Sequence, residues 1–205
     1  MQNQLIFVLT AASATGKSSC AKEMCKKDKG LVLSISHSTR PMRPGEVEGV
    51  DKFFISEVEF SQMQEAGDFI ESTEIFGHRC GHTKEKLEAV AGKSNDLIMI
   101  LDYKGMCQVK AQFENTVSIF LLPPSMDAIY ERIHKRPEAS GVDIESRILS
   151  AKKEMLDYCH YDYVVINDDL NTCVDEMLSI VRAERLKTKI QSSKEKKRLN
   201  SLIKD

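Results

Sequence analysis

The segment Ala11-Ala-Ser-Ala-Thr-Gly-Lys-Ser-Ser19 lies between an apolar run, Leu5-Ile-Phe-Val-Leu9, and a helix-forming stretch that opens Cys20-Ala-Lys-Glu-Met24. A strand that runs into small residues, then Gly-Lys-Ser, then a helix is a way for a chain to cradle phosphate. Backbone N–H groups curl round the anion, the lysine reaches the β and γ oxygens of a nucleotide, and the following hydroxyl ligates Mg²⁺. Gly16, Lys17 and Ser18 form the second half of that device. Ala11 stands where the strict pattern has glycine, and Ala14 carries a Cβ where backbone must come close to phosphate. Such a loop needs a strand end before it and a helix N-terminus after it, which points to an α/β sheet with its site at the carboxyl edge.

The rest of the chain continues that alternation. Apolar runs at 5–10, 31–36, 68–76, 97–101, 117–122 and 163–166 read as strands, and helical patterns fit at 18–27, 57–66, 83–91, 104–113, 125–136, 144–158 and 171–189. The fold class expected is α/β, a P-loop NTPase-type, mostly parallel sheet with helices on both faces. Ser56-Glu-Val-Glu59 is a capping box, and Pro123-Pro124-Ser125 ends one strand and starts the next helix. At 205 residues, with no internal repeat or dividing linker, one catalytic domain is expected.

A net charge of −2 gives no reason to expect a nucleic-acid partner. No run reaches the roughly 18 to 20 apolar residues that a membrane span needs, so the reading is cytoplasmic, with no membrane partner. Cys20, Cys25, Cys80, Cys107, Cys159 and Cys173 form no C-x-x-C pair, and reduced thiols are expected. The tail 190–205, with Lys194-Glu-Lys-Lys-Arg198, reads as a solvated helix face.

A second anion-binding cluster follows the second strand: Ser36-His-Ser-Thr-Arg-Pro-Met-Arg-Pro-Gly-Glu46. Arg40 and Arg43 on a proline-stiffened turn can converge on one phosphate, because guanidinium groups bind its oxygens in bidentate fashion. One anion on the loop and another on these arginines suggest phosphoryl transfer between two bound nucleotides.

With these residues the chain resembles the guanylate kinase family from about Leu5 to Leu186. Ser38-Thr-Arg-Pro-Met-Arg-Pro-Gly-Glu46 with Gly49 and Phe54 is similar to the family's GMP-phosphate signature. Phe69-Ile-Glu71, Phe76-Gly77 and Gly81 resemble its guanine-reading segment. Asp102-Tyr-Lys-Gly105, Ile119 to Ser125, Asn167-Asp-Asp169 and Arg182 to Leu186 follow in the family's order. The resemblance implies an ATP-dependent nucleoside monophosphate kinase of purine nucleotide metabolism, converting ATP and GMP, or dGMP, to ADP and the diphosphate.

On the ATP side it implies Ala11, Ala12, Ser13, Ala14, Thr15, Gly16, Lys17, Ser18, Ser19 and the adenine-side Asn167, with Mg²⁺ at Ser18 as cofactor. Ser36, Arg40, Arg43, Lys52 and Cys80 would line the GMP phosphate site, and Glu71, His82 and Asp102 the base. Lys17 with the lid arginines Arg132, Arg136 and Arg147 would carry catalysis. The core would comprise 1–36, 91–125 and 157–189, the NMP-binding region 37–90 and the lid 126–156, in a monomer or homo-oligomer.

Some positions depart from the family pattern. Lys52 and Cys80 stand where it has tyrosines, His82 where a hydroxyl residue helps read guanine O6, and Ile100 where it has the first acid of an Asp-x-Asp pair. Two other readings therefore attach to the same residues: a catalytically impaired binding module, and a monophosphate kinase with an altered acceptor. His78, Cys80 and His82 would share one face of a continuing strand and suit Zn²⁺ or Cu²⁺. Gly81 is expected to break that strand and no fourth ligand is evident, so lining of the acceptor pocket is preferred.

Overall fold

The computed structural model describes residues 4–91, 95–134 and 141–203. The strands are β1 (Ile6–Ala11), β2 (Leu31–Leu33), β3 (His37–Ser38), β4 (Phe53–Phe54), β5 (Phe69–Ile75), β6 (His78–Thr83), β7 (Asp96–Ile100), β8 (Thr116–Leu122) and β9 (Tyr163–Ile166). The helices are α1 (Lys17–Lys27), α2 (Glu57–Glu65), α3 (Lys84–Ala91), α4 (Tyr103–Gln112), α5 (Met126–His134), α6 (Gly141–Met155), α7 (Leu170–Arg185), α8 (Thr188–Lys194) and α9 (Lys196–Ile203), with a 3-10 segment at Leu156–His160.

The central sheet has the order β2-β7-β1-β8-β9, and all its pairings are parallel. Helices cover both faces, which is why β1 reads as an unbroken apolar run and is buried along its whole length. Phe7, Leu9, Ile98, Ile119 and Leu121 pack on one face with Met24 of α1 and Val174, Met177 and Val181 of α7. Val8, Leu97, Met99 and Phe120 face the other way, onto Met106 and Val109 of α4. From β1 the chain runs to the β2 edge and returns through β7, whereas β8 and β9 lie on the opposite side. The carboxyl end of β1 is thus a topological switch point, where such sheets open a crevice.

A second, smaller sheet was not foreseen. Its order is β4-β3-β6-β5, and it mixes one parallel pair with antiparallel ones. The expected strand 31–36 ends at Leu33, and His37–Ser38 pairs into this second sheet instead. Gly81 does not break β6: a Cβ there would lie 2.8 Å from both Glu71 O and the Phe69 ring, so glycine lets the strands pack closely. Phe76 (φ 51°) and Gly77 (φ 76°) form the two-residue link of the β5–β6 hairpin in the left-handed conformation that such turns require.

Other boundaries moved by a few residues. The helix expected over 144–158 is α6 to Met155 followed by the 3-10 segment. The helix expected over 171–189 ends at Arg185, and Lys187, extended at φ −57° and ψ 138°, separates it from α8. The charge run of the tail is helical on both sides of a turn at Glu195, between α8 and α9, and no helix among the described residues is long and apolar enough to cross a membrane.

Candidate active site

The loop between β1 and α1 is shaped by two left-handed residues, Ala14 (φ 64°) and Gly16 (φ 102°). A Cβ on Gly16 would lie 2.7 Å from Asn167 Nδ2, so glycine is required there for both torsion and space. Alanine at position 14 tolerates the left-handed torsion at a cost of roughly 1–2 kcal/mol. Three side chains hold the loop through backbone carbonyls. Thr15 Oγ1 donates to Ala12 O at 2.8 Å, and Asn167 Nδ2 and Arg132 both donate to Thr15 O, at 2.6 and 3.1 Å. Lys17 Nζ donates back to Ala11 O. No acid lies in the first turn of α1, so its N-terminus keeps the positive end of the helix dipole available to an anion.

Facing this loop is a cleft of about 730 Å³. Residues 12–19 form one wall, Arg40, Arg43, Lys52 and Cys80 line the other, and Arg147 borders it. The Arg147 guanidinium lies over the Phe76 ring, 5.5 Å from its centroid. Two cationic groups thus meet across a space large enough for phosphates.

The second wall is organised by Glu46. Its carboxylate takes two donors from Arg40, one at 2.7 Å from Nη1 to Oε2 and the other from Nη2 to Oε1, and the Arg43 backbone N–H at 2.8 Å. The Arg40 side-chain bond holds the Glu46 carboxyl below the usual carboxylate range. Arg40 also packs over Phe54, 5.2 Å from its ring centroid. Nη1 donates to Pro41 O as well, so three of the five guanidinium N–H groups are engaged and two have no partner among the described residues. Lys52 Nζ donates to Ser36 Oγ at 2.7 Å, and burial lowers its ammonium from the usual lysine range. Ser38 Oγ lies 3.2 Å from Cys80 Sγ.

Behind this wall sit the residues expected at the base. Glu71 is buried, with Oε1 accepting from the His82 backbone N–H at 3.0 Å and lying 2.6 Å from His82 Nδ1. Oε2 points at the first turn of α4, where a Cβ on Gly105 would come within 2.8 Å of it. Asp102 caps that helix by accepting from Gly105 N at 2.8 Å. Burial pushes the Asp102 carboxyl up, and the nearby Glu71 charge adds to the rise.

Of the expected site residues, 12–19, Arg40, Arg43, Lys52, Cys80 and Arg147 line the cleft, whereas Ala11, Arg132, Asn167, Ser36, Glu71, His82 and Asp102 adjoin it through the contacts above without lining it. Arg136 lies outside the described residues. Asn167 differs from its adenine-side expectation in one respect: its amide nitrogen is engaged by the loop backbone. Sequence reasoning missed Glu46 as the organiser of Arg40 and Arg43. The acid was in plain view, but its partners depend on the turn at Gly45, where φ is 82°. It also missed the contact between His82 and Glu71. Among the described residues no three His, Cys, Asp or Glu side chains group to hold a metal, so the His78, Cys80 and His82 alignment forms no such centre.

Comparison with known proteins gives a consistent result. The family model described as guanylate kinase matches residues 3–184. The chain is 38% identical to the guanylate kinase of Hahella chejuensis over 198 residues, covering 97% of this chain and 95% of that one. Against the guanylate kinase of Pseudomonas fluorescens strain Pf0-1 it is 38% identical, covering 97% and 96%. The crystal structure of guanylate kinase from Anaplasma phagocytophilum superposes with a TM-score of 0.77 at 30% identity, covering 92% of this chain and 89% of that one.

Proposed function

The chain belongs to the guanylate kinase family of ATP-dependent nucleoside monophosphate kinases, and on that premise we propose how its residues carry the γ-phosphoryl group of ATP to GMP, giving ADP and GDP. The same pocket would take dGMP. The observation that supports this reading most directly is the pairing of the phosphate loop with the Arg40, Arg43 and Lys52 wall across one cleft.

On the donor side, Lys17 would exchange its bond to Ala11 O for oxygens of the β and γ phosphates, while the α1 N-terminus and the loop amides hold the β phosphate. The cofactor proposed is Mg²⁺. Ser18, in the first turn of α1 and lining the cleft, would hold it through its hydroxyl, with phosphate oxygens and water in the rest of the shell. When bound, the ion supplies charge neutralisation on the phosphates.

On the acceptor side, Arg40, together with Arg43, Lys52 and Ser36, would hold the GMP phosphate. A nucleoside monophosphate has its second pKa near ~6, so at neutral pH it attacks without a strong protein base. Positioning and charge neutralisation then supply most of the rate, and Arg132, Arg136 and Arg147 would serve the transferring group. Glu71 would accept from the guanine N–H groups, with Asp102 as the second base-side carboxylate. Movement of 37–90 and 126–156 toward the loop would exclude water. A cytoplasmic location fits these metabolite substrates.

The test is ADP release with ATP and a panel of monophosphates, repeated with Lys17→Ala. Turnover with GMP and dGMP, lost in Lys17→Ala, is expected. Turnover confined to another monophosphate, or wild-type rates in the variant, would overturn the assignment.

A further inference from the structure

The tip of the β5–β6 hairpin carries a residue that its backbone disfavours. Phe76 opens the two-residue turn at φ 51°, followed by Gly77 at φ 76°. Turns of this hand take asparagine, aspartate or glycine at that position, because a larger side chain in the left-handed region crowds the following carbonyl oxygen. The ring gains little burial in exchange, since it is half exposed. A large apolar side chain that is both torsionally disfavoured and open to solvent calls for a reason outside the turn.

That reason stands across the cleft. The Arg147 guanidinium lies over the Phe76 ring, 5.5 Å from its centroid, and both side chains border the cleft beside Ile75 and His78. The two partners belong to different parts of the site. Arg147 is on α6, whose Ile148 and Ala151 cluster with Ala12 of the phosphate loop and with Ile129 and Ile133 of α5. Phe76 is on the acceptor side, in a hairpin that Arg79 of β6 ties to α2. Arg79 donates to Glu57 Oε2 at 2.8 Å, Glu57 O at 2.6 Å and Ser61 Oγ at 2.8 Å, and it lies over the Phe60 ring. The Phe76 ring is therefore a shelf fixed to one wall, and the arginine resting on it comes from the other.

We infer that Phe76 is a positioning residue: its π face holds the Arg147 guanidinium at the cleft, so that the arginine meets the transferring phosphoryl group already oriented. Stacking uses the face of a guanidinium, whereas phosphate oxygens bind its N–H edge, so one contact does not displace the other. The inference rests on the phosphoryl-transfer reading proposed above, in which Arg147 serves the transferring group. It also accounts for phenylalanine at position 76, where asparagine would suit the turn better.

The experiment measures kcat, KM for each nucleotide and melting temperature in Phe76→Asn, Phe76→Leu and Phe76→Tyr, and repeats Phe76→Asn in an Arg147→Ala background. Asparagine suits the left-handed turn, so Phe76→Asn should melt at the wild-type temperature or above it. Its kcat should nevertheless fall by about two- to fivefold, the rate equivalent of one exposed cation–π contact, with little change in KM for ATP or GMP. Phe76→Leu keeps an apolar side chain without a π face and should lose as much, whereas Phe76→Tyr keeps the face and should retain the wild-type kcat. In the Arg147→Ala background, Phe76→Asn should lower kcat no further, since the two residues act through one contact. Wild-type kcat in Phe76→Asn or Phe76→Leu, or an undiminished effect of Phe76→Asn without Arg147, would overturn the inference while leaving the transfer reading standing. A wild-type protein that turns over no monophosphate would remove that reading and the inference with it.

Discussion

Gly16 shows how much one residue can fix in this molecule. Its left-handed torsion turns the chain from β1 into α1, and the space its missing Cβ leaves is filled by the Asn167 amide that holds Thr15 O. Gly16→Ala is expected to push Asn167 off the loop and raise KM for ATP by about tenfold, with KM for GMP changed less. Steady-state kinetics with each substrate varied in turn checks this. Lys17→Ala should lower kcat by roughly 10²- to 10³-fold through lost stabilisation of the phosphates, with an unchanged melting temperature.

Glu46 acts at the same scale and carries a pH signature. Its folded carboxyl is held below its unfolded value by Arg40, so its contribution to stability is complete above the unfolded value. That contribution is lost as pH falls through the depressed folded value. Glu46→Gln should therefore be less stable than the wild type at pH 7, by about 1 kcal/mol for this partly exposed pair, with the gap closing in acid. Urea denaturation of both proteins across pH measures it. The same variant should raise KM for GMP, since Arg40 loses its bidentate anchor.

At the scale of elements, what was legible followed from periodicity and caps. The capping box at Ser56 and Glu59 is present in both directions: the Ser56 side chain accepts from Glu59 N, and the Glu59 side chain accepts from Ser56 N. Ser56→Ala should cost about 1 kcal/mol, read as a lower melting temperature. The parallel strands were legible because burial on both faces makes them continuous apolar runs. The second sheet was not, because β3 and β4 are each two residues long and β6 reads His-Arg-Cys-Gly-His-Thr, with no alternation of apolar side chains. Those strands exist through pairing with distant segments and through rings that pack beneath them. Phe60 stacks on Phe69 at 4.4 Å and His37 on Phe53 at 4.8 Å between centroids.

At the scale of the whole molecule, Arg185 near the end of α7 ties together segments far apart in sequence. It donates to Asp28 Oδ2 at 2.5 Å, just beyond α1, and to Asp96 Oδ2 at 2.7 Å, at the start of β7. Partial exposure limits the value of each pair, so Arg185→Met should lower stability by about 1–2 kcal/mol without changing KM for either nucleotide. Thermal melting and kinetics on one preparation separate the two effects. The loop and the Arg40–Arg43 turn stand out in the sequence because their residue types lie in short contiguous motifs with their own turn residues, whereas Glu71 was pointed to only by the family resemblance. The engagement of Glu46 with Arg40, the placement of Asn167 against the loop and the contact of His82 with Glu71 were settled only by the tertiary structure. Each joins groups whose separation depends on how a turn or a strand register closes, and neither propensity nor spacing encodes that distance.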